Sequence, residues 1–284
     1  MNPVSGGKTG RRTPSLSERY REFLAQRIEE YKEQLPRHEL LTLGDAALEK
    51  LRTVESGQLS LTEVVLRDYV DDLIRRDLRL PSYRSWRNRF VKLRNAQRQA
   101  THWGLDSDQP LIQHVTRMET ETAVVIGTAA APYGFLMAAH DARVIIIDRD
   151  IGTVETSEHV AAKEWLDGQV ETLVVDLEYC PGGTLFNLLA SVPRFDGSCV
   201  GLVLFDSRAL AQLPATRRIE LLEALKDMTV VGGTHLMAPA CSSGGSVTLS
   251  SDALRGVYGD WIADRPAHRA RQTWFVATRP CDSP

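Results

Sequence analysis

Three apolar runs in the second half of the chain each close on an aspartate: VIIID at Asp148, LVVD at Asp176 and VLFD at Asp206. If the runs are parallel strands, their carboxyl ends line the crevice where ligands of open α/β sheets bind. A carboxylate there can accept the paired hydroxyls of a sugar, orient a substrate or take a proton. Simpler readings stand beside these. An acid at a solvated strand end needs no ligand, and Asp206 with Ser207 after it also reads as a helix cap. His235, just past Gly232-Gly233, is the histidine closest to the expected edge. It reads either as a general base or as a structural hydrogen-bonding residue on a strand.

The elements that would position these groups follow a clear grammar. Ala123–Ile126 reads as a strand, Pro132–His140 as a helix, Arg143–Ile147 as a strand, Thr156–Leu166 as a helix and Glu171–Val175 as a strand. A helix near Thr184–Ala190, a strand at Cys199–Phe205, a helix at Thr216–Lys226 and a strand at Thr234–Ala238 follow. Short apolar strands separated by helices imply a parallel sheet covered on both faces. Two last strands, Asp260–Ala263 and Thr273–Ala277, are nine residues apart, too close for a crossover helix, so they are expected to pair antiparallel.

The front of the chain is different. Residues 1–14 are polar and basic without periodicity and read as a disordered tail. From Ser15, with Glu18 as its capping-box partner, Leu16, Tyr20, Phe23, Leu24, Ile28, Tyr31 and Leu35 recur at helical spacing to about Pro36. A short helix is expected over Asp45–Glu55, a third from a Ser60/Glu63 capping box to before Pro81, and a fourth with Tyr83, Trp86, Phe90 and Leu93 on one face. The fourth also carries Arg84, Arg87, Arg89, Lys92, Arg94 and Arg98. Cations among aromatics can bind nucleic acid, but the aromatic spacing equally fits a buried stripe with a solvated basic back. The resulting division is a tail (1–14), a helical domain (15–101), a linker (102–118) and a sheet domain (119–284).

Bulk composition bounds the function. With 284 residues, 43% hydrophobic and 25% charged, the chain can bury a large core. Residues 1–100 hold 20 Lys and Arg against 14 Asp and Glu, while the remainder holds 14 against 23, so a basic front precedes an acidic back. Four scattered cysteines show no metal-ligand spacing and no disulfide framework, so no metal is expected. No leader pattern and no run near the roughly 18 apolar residues of a membrane span is visible, so no membrane partner is expected, and a reducing cytoplasm is the expected location.

Five parallel strands with helices and a final antiparallel pair is the layout of the class I S-adenosylmethionine-dependent methyltransferase superfamily, which residues from about Thr116 to Pro280 resemble. The first strand ends in Val125-Ile126-Gly127-Thr128-Ala129, where the family has its glycine loop. The second ends in Ile147-Asp148, matching the acid that holds the ribose hydroxyls, and the third in Val175-Asp176-Leu177 on the adenine side. Phe195-Asp196 precede the fourth strand VGLVLFD, LLEALKDMTVVGGTHLM supplies a helix and a Gly-Gly turn into the fifth, and TWFVATRP resembles the last strand.

The resemblance implies a seven-stranded, mostly parallel, Rossmann-like sheet with an antiparallel last strand, preceded by an α-helical domain. It implies S-adenosyl-L-methionine as cofactor, held by Gly127, Thr128, Ala129, Asp148, Arg149, Asp176, Leu177 and Asp206. Asp206 and His235 are the candidate catalytic groups. The implied activity is methyl transfer to a small-molecule acceptor, with RNA or protein as the second acceptor class and a non-catalytic assembly module as the rival; a homo-oligomer is left open. A nicotinamide dinucleotide is disfavoured: in a GxGxxG frame the second and third positions are Ala129 and Pro132, and a proline at the start of the helix removes an N–H that a pyrophosphate would use.

Overall fold

A computed structural model of the chain describes residues 15–54, 63–115, 122–192, 200–238, 251–263 and 274–281. The expected tail, the Ser60 cap, Phe195-Asp196 and the start of the last strand at Thr273 lie outside the described residues. The chain divides into two units, Met1–Leu93 and Arg94–Pro284.

The first unit is helical: α1 (Leu16–Gln34), α2 (Arg37–Val54), α3 (Glu63–Asp77) and most of α4 (Tyr83–Gln97). The Ser15 capping box forms, with the Glu18 N–H on the serine hydroxyl and the Ser15 N–H on the Glu18 carboxylate. The second helix starts at Arg37 rather than Asp45. Gly44, which weakens a helix interior by about 1 kcal/mol relative to alanine, does not break it. The core is aromatic. Tyr20, Trp86 and Phe90 are buried, with ring centroids 5.4 Å apart for Tyr20–Trp86 and 5.0 Å for Trp86–Phe90. The Tyr20 hydroxyl donates to the Pro81 carbonyl and accepts from Arg75.

The aromatic stripe of α4 is therefore core, which takes Trp86 and Phe90 away from any base-stacking role. Arg84, Arg87, Arg89 and Lys92 are exposed on the opposite side. Arg94 corrects the expected basic face. It is 7% exposed, lies in the second unit, and donates to the Ala138 carbonyl near the end of α6 (Ala131–Ala139). Arg98 does the same for Ala139 and pairs with Asp141. Both guanidinium groups sit at a helix C-terminus, where cations are stabilising; Arg94 is buried there, whereas the Arg98 side chain is still 40% exposed.

The second unit is a seven-stranded sheet in the order β3-β2-β1-β4-β5-β7-β6. Its strands are β1 (Thr122–Ile126), β2 (Arg143–Asp148), β3 (Val170–Val174), β4 (Val200–Asp206), β5 (Thr229–Ala238), β6 (Ile262–Ala263) and β7 (Phe275–Thr278). The first five pair parallel, and β7 lies antiparallel between β5 and β6. This is the Rossmann-like class I methyltransferase fold. Strand order reverses at β1 and β4, so the crevice outside their carboxyl ends is the expected ligand position.

Both faces of the sheet are covered. Ala123, Val125, Val144 and Ile146 point to one core with α6 and α7 (Ile151–Lys163); Val124, Ile126, Ile145 and Ile147 point to the other with α8 (Gly182–Ser191) and α10 (Ala215–Met228). Gly134 lets α6 lie close to the strands, since a Cβ there would stand 3.1 Å from Val144 Cγ1. The helix expected at Thr156 begins at Ile151 because Asp150 caps it, accepting from the Thr153 N–H at 2.9 Å. The stretch read as a linker carries a 3-10 turn at Ala100–Trp103 and α5 (Pro110–Val115). Trp103 packs on Phe135 and donates to the Gln97 carbonyl. The fifth strand starts at Thr229, not Thr234, and Gly232-Gly233 sit inside it at a register shift against β4 instead of forming the turn before it. Of the strand expected at Asp260, only Ile262–Ala263 is extended. Two further helices, α9 (Ser207–Ala211) and α11 (Ser251–Val257), complete the described elements.

Candidate functional site

The switch-point edge is built from the ends of β1, β2 and β4. After β1 the chain turns at Gly127, whose φ of 91° few side chains tolerate. The Gly127 N–H still donates to the Ile147 carbonyl at 2.8 Å, so the turn is tied to β2. A Cβ on Gly127 would stand 2.7 Å from Asp206 Cβ and 3.1 Å from Ala209 Cβ, which makes glycine the residue that lets the loop meet the end of β4. Thr128–Ala130 then form a 3-10 turn leading into α6. Ala130 and Ala131 are buried in the core under α6, and Ala129 is exposed. The methyls of Ala130 and Ala131 thus belong to the core, and that of Ala129 does not.

Asp148 closes β2 and reaches back to this turn. Its Oδ2 accepts from the Thr128 N–H at 2.7 Å and the Thr128 hydroxyl at 2.9 Å, and its Oδ1 from the Asp150 N–H at 3.0 Å. Partial burial pushes the carboxyl's pKa up, but the N–H groups of Asp150 and Thr128 and the Thr128 hydroxyl outweigh that and hold it below the usual carboxylate value. Asp148 is therefore an ionised acceptor at the carboxyl edge.

Asp206 caps α9, accepting from the Arg208 N–H at 3.1 Å through Oδ1. The capping alternative is thus realised, with Oδ2 on the side of Gly127. The Val175 N–H donates to the Asp148 carbonyl, bringing the end of β3 alongside. Asp176, one residue on, is exposed and accepts from the Glu178 N–H, while Leu177 packs into the core and offers a ligand only its backbone. Arg149 is exposed. The edge thus gathers Gly127, Thr128, Asp148 and Asp206.

His235 is not part of it. The residue lies three positions before the end of β5, opposite Val203 on β4, and is 1% exposed. Its Nε2 meets the Thr229 hydroxyl at 2.8 Å and its Nδ1 the Tyr258 hydroxyl at 2.6 Å. Burial, aided by the nearby Lys226 charge, pushes its pKa down to about 3. A histidine shut in the core with both nitrogens engaged cannot exchange a proton with an acceptor at the edge, and the general-base expectation is withdrawn.

Sequence reasoning did not find the Thr128–Asp148 contact, which spans 20 positions. It also read Pro132 as the first residue of the helix; it is the second of α6. The Ala130 and Ala131 N–H groups bond within the turn, to Gly127 and Thr128, and Pro132 has none. The turn therefore presents few free amides to a pyrophosphate. The Ser207 hydroxyl, beside Asp206, is buried without a hydrogen-bond partner among the described residues.

No protein-family model matches the sequence, and no curated protein matches it. Solved structures similar to it include TehB from Haemophilus influenzae, 14% identical over 60% of this chain and 61% of that one, with a TM-score of 0.44. Magnesium protoporphyrin IX methyltransferase from Synechocystis, solved with bound SAM, is 12% identical over 60% and 74%, with a TM-score of 0.44. The N-methyltransferase NodS from Bradyrhizobium japonicum, in complex with S-adenosyl-L-homocysteine, is 15% identical over 67% and 98%, with a TM-score of 0.42. The chain spans about half to six-tenths of the first structures it matches. Likeness at this level assigns no residue a role. Among the described residues no group of His, Cys, Asp or Glu could hold a metal ion, and no helix is long and apolar enough to cross a membrane.

Proposed function

We propose that the sheet unit binds S-adenosyl-L-methionine at the carboxyl edge of β1, β2 and β4, and that the chain is a methyltransferase acting on a small molecule. The observation that carries this reading is Asp148: an ionised carboxylate at the switch-point edge, next to a turn poor in free amides. Such a site suits a ligand with sugar hydroxyls and no phosphate. Two apolar side chains flank it, Val174, 50% exposed and opposite Asp148 in register, and Ile151, 63% exposed at the start of α7; a flat base would cover apolar surface there.

In this reading Asp148 receives the ribose hydroxyls, the Gly127 turn brings the backbone to the ligand, and Asp206 orients the acceptor through Oδ2. The cofactor supplies an electrophilic methyl on its sulfonium. The chain's own contribution is to hold acceptor and donor in line, and positioning of that kind can supply much of a displacement's acceleration. A base is needed only where the acceptor must lose a proton, and Asp206 is the group at the edge that could take it.

The test is calorimetric titration of the full chain with S-adenosyl-L-homocysteine. Micromolar binding that Asp148→Ala weakens by about 100-fold supports the reading, as expected for loss of a charge-assisted grip on two hydroxyls. An absence of binding would instead favour the non-catalytic module, a reading supported by the partners Asp148 already has within the chain.

A further inference from the structure

Thr128 already holds the carboxylate that the proposed cofactor would need. An ionised carboxylate offers about four acceptor directions, two on each oxygen. On Asp148, the Thr128 N–H and hydroxyl both fall on Oδ2, at 2.7 and 2.9 Å, and the Asp150 N–H falls on Oδ1 at 3.0 Å. Oδ2 is filled, and Oδ1 holds one hydrogen bond; the Arg149 N–H also acts on the carboxylate, more weakly than these three. A vicinal diol gripped by both oxygens needs one direction on each, so one existing bond must yield.

The candidates to yield are unequal. The Thr128 N–H is fixed by the backbone of the turn, which is held by the Gly127 N–H on Ile147 and the Ala130 N–H on Gly127. The Asp150 N–H is fixed at the start of α7, where the same residue caps the helix. The Thr128 hydroxyl is held only by its side-chain torsion, and Thr128 is partly exposed, so it can turn away without moving the chain.

We infer that the Thr128 hydroxyl occupies the place of a ribose hydroxyl on Asp148, so that a nucleoside binds by exchanging one hydroxyl for another. The inference rests on the cofactor reading above and deepens it. Thr128 is then a competitor of the ligand. It keeps the carboxylate satisfied in the free protein and reduces what the sugar adds to affinity. The exchange also gives the site a preference that a bare carboxylate would lack: a ligand with one hydroxyl only replaces what it displaces, whereas a diol also reaches Oδ1.

The experiment compares wild type, Thr128→Val and Thr128→Ser as full chains, titrated with S-adenosyl-L-homocysteine and with its 2′,3′-dideoxy analogue. Valine keeps the shape and removes the hydroxyl; serine keeps the hydroxyl. The expected result is binding of S-adenosyl-L-homocysteine about tenfold tighter in Thr128→Val, as for one hydrogen bond to a charged group. Thr128→Ser should stay within about twofold of wild type, a range set by the retained bond. The gain should vanish with the dideoxy analogue, which a general loosening of the turn would not produce. Equal or weaker binding by Thr128→Val, or a gain that persists without the ribose hydroxyls, overturns the exchange and leaves the cofactor reading standing. Binding by none of the three chains overturns both.

Discussion

The sheet unit contains two clusters of hydrogen-bonded polar side chains made from similar parts. At the carboxyl edge, Asp148 is held by Thr128 and Asp150. Inside the sheet, His235 is held by Thr229 and Tyr258. Thr229 donates its hydroxyl to the Leu225 carbonyl at 2.7 Å, so it must accept from His235 Nε2–H; Nδ1 then accepts from Tyr258. Every member of that chain is buried, and each of its three polar hydrogens is engaged inside the core. The edge cluster is half open. The difference teaches that a polar residue on a strand is a ligand group only where the strand end meets water; three residues earlier it is part of the core.

That contrast can be broken by mutation, the largest effect coming from the interior. His235→Leu should lower stability by about 3 kcal/mol, because it leaves two buried hydroxyls short of a partner. Denaturant unfolding checks this, and S-adenosyl-L-homocysteine affinity of the folded variant should be unchanged. A loss of affinity with stability intact would reverse the assignment of the two clusters.

Acid sharpens the same point. The folded His235 stays neutral down to about pH 3, whereas an unfolded histidine takes a proton near its ordinary value of about 6.5. The unfolded state binds more protons between those limits, so stability should be level above pH 6.5 and fall below it by up to about 1.4 kcal/mol per pH unit. Asp148, whose folded pKa is lowered, adds a loss of its own only in the carboxylate range. Unfolding free energies of wild type and His235→Leu from pH 7 to 4 should converge as pH falls.

At the edge, Gly127→Ala should cost about 2 kcal/mol through its positive φ, with added crowding from the Asp206 Cβ. Smallest is Asp206. Its replacement by alanine removes the α9 cap for about 1 kcal/mol, while Asp206→Asn keeps a capping side chain and should lose little stability. If Asp206→Asn nonetheless slows methyl transfer to an identified acceptor, the charge matters beyond the cap.

Much of this was legible in the residues. Apolar runs closing on Asp148 and Asp206 located two strand ends, and the Ser15–Glu18 box located a helix start, because these are local patterns with a local physical cause. Helix boundaries failed where one residue outweighed the pattern: Asp150 capped α7 five residues early, and α2 ran through Gly44. Of the two readings of His235 the structural one holds, because its place just past Gly232-Gly233 puts it near the edge in sequence but three residues inside the strand end. Thr128 could be named as a loop residue, but its hold on Asp148 depends on β1 and β2 lying side by side, which spacing alone does not show.

Crystals of the full chain soaked with S-adenosyl-L-homocysteine test the central claim most directly. The account predicts density along the carboxyl edge of β1, β2 and β4, with the sugar on Asp148 and the Thr128 side chain rotated off it. Density at another surface, or an Asp148 still closed on the Thr128 hydroxyl in crystals where the ligand is bound, would contradict it.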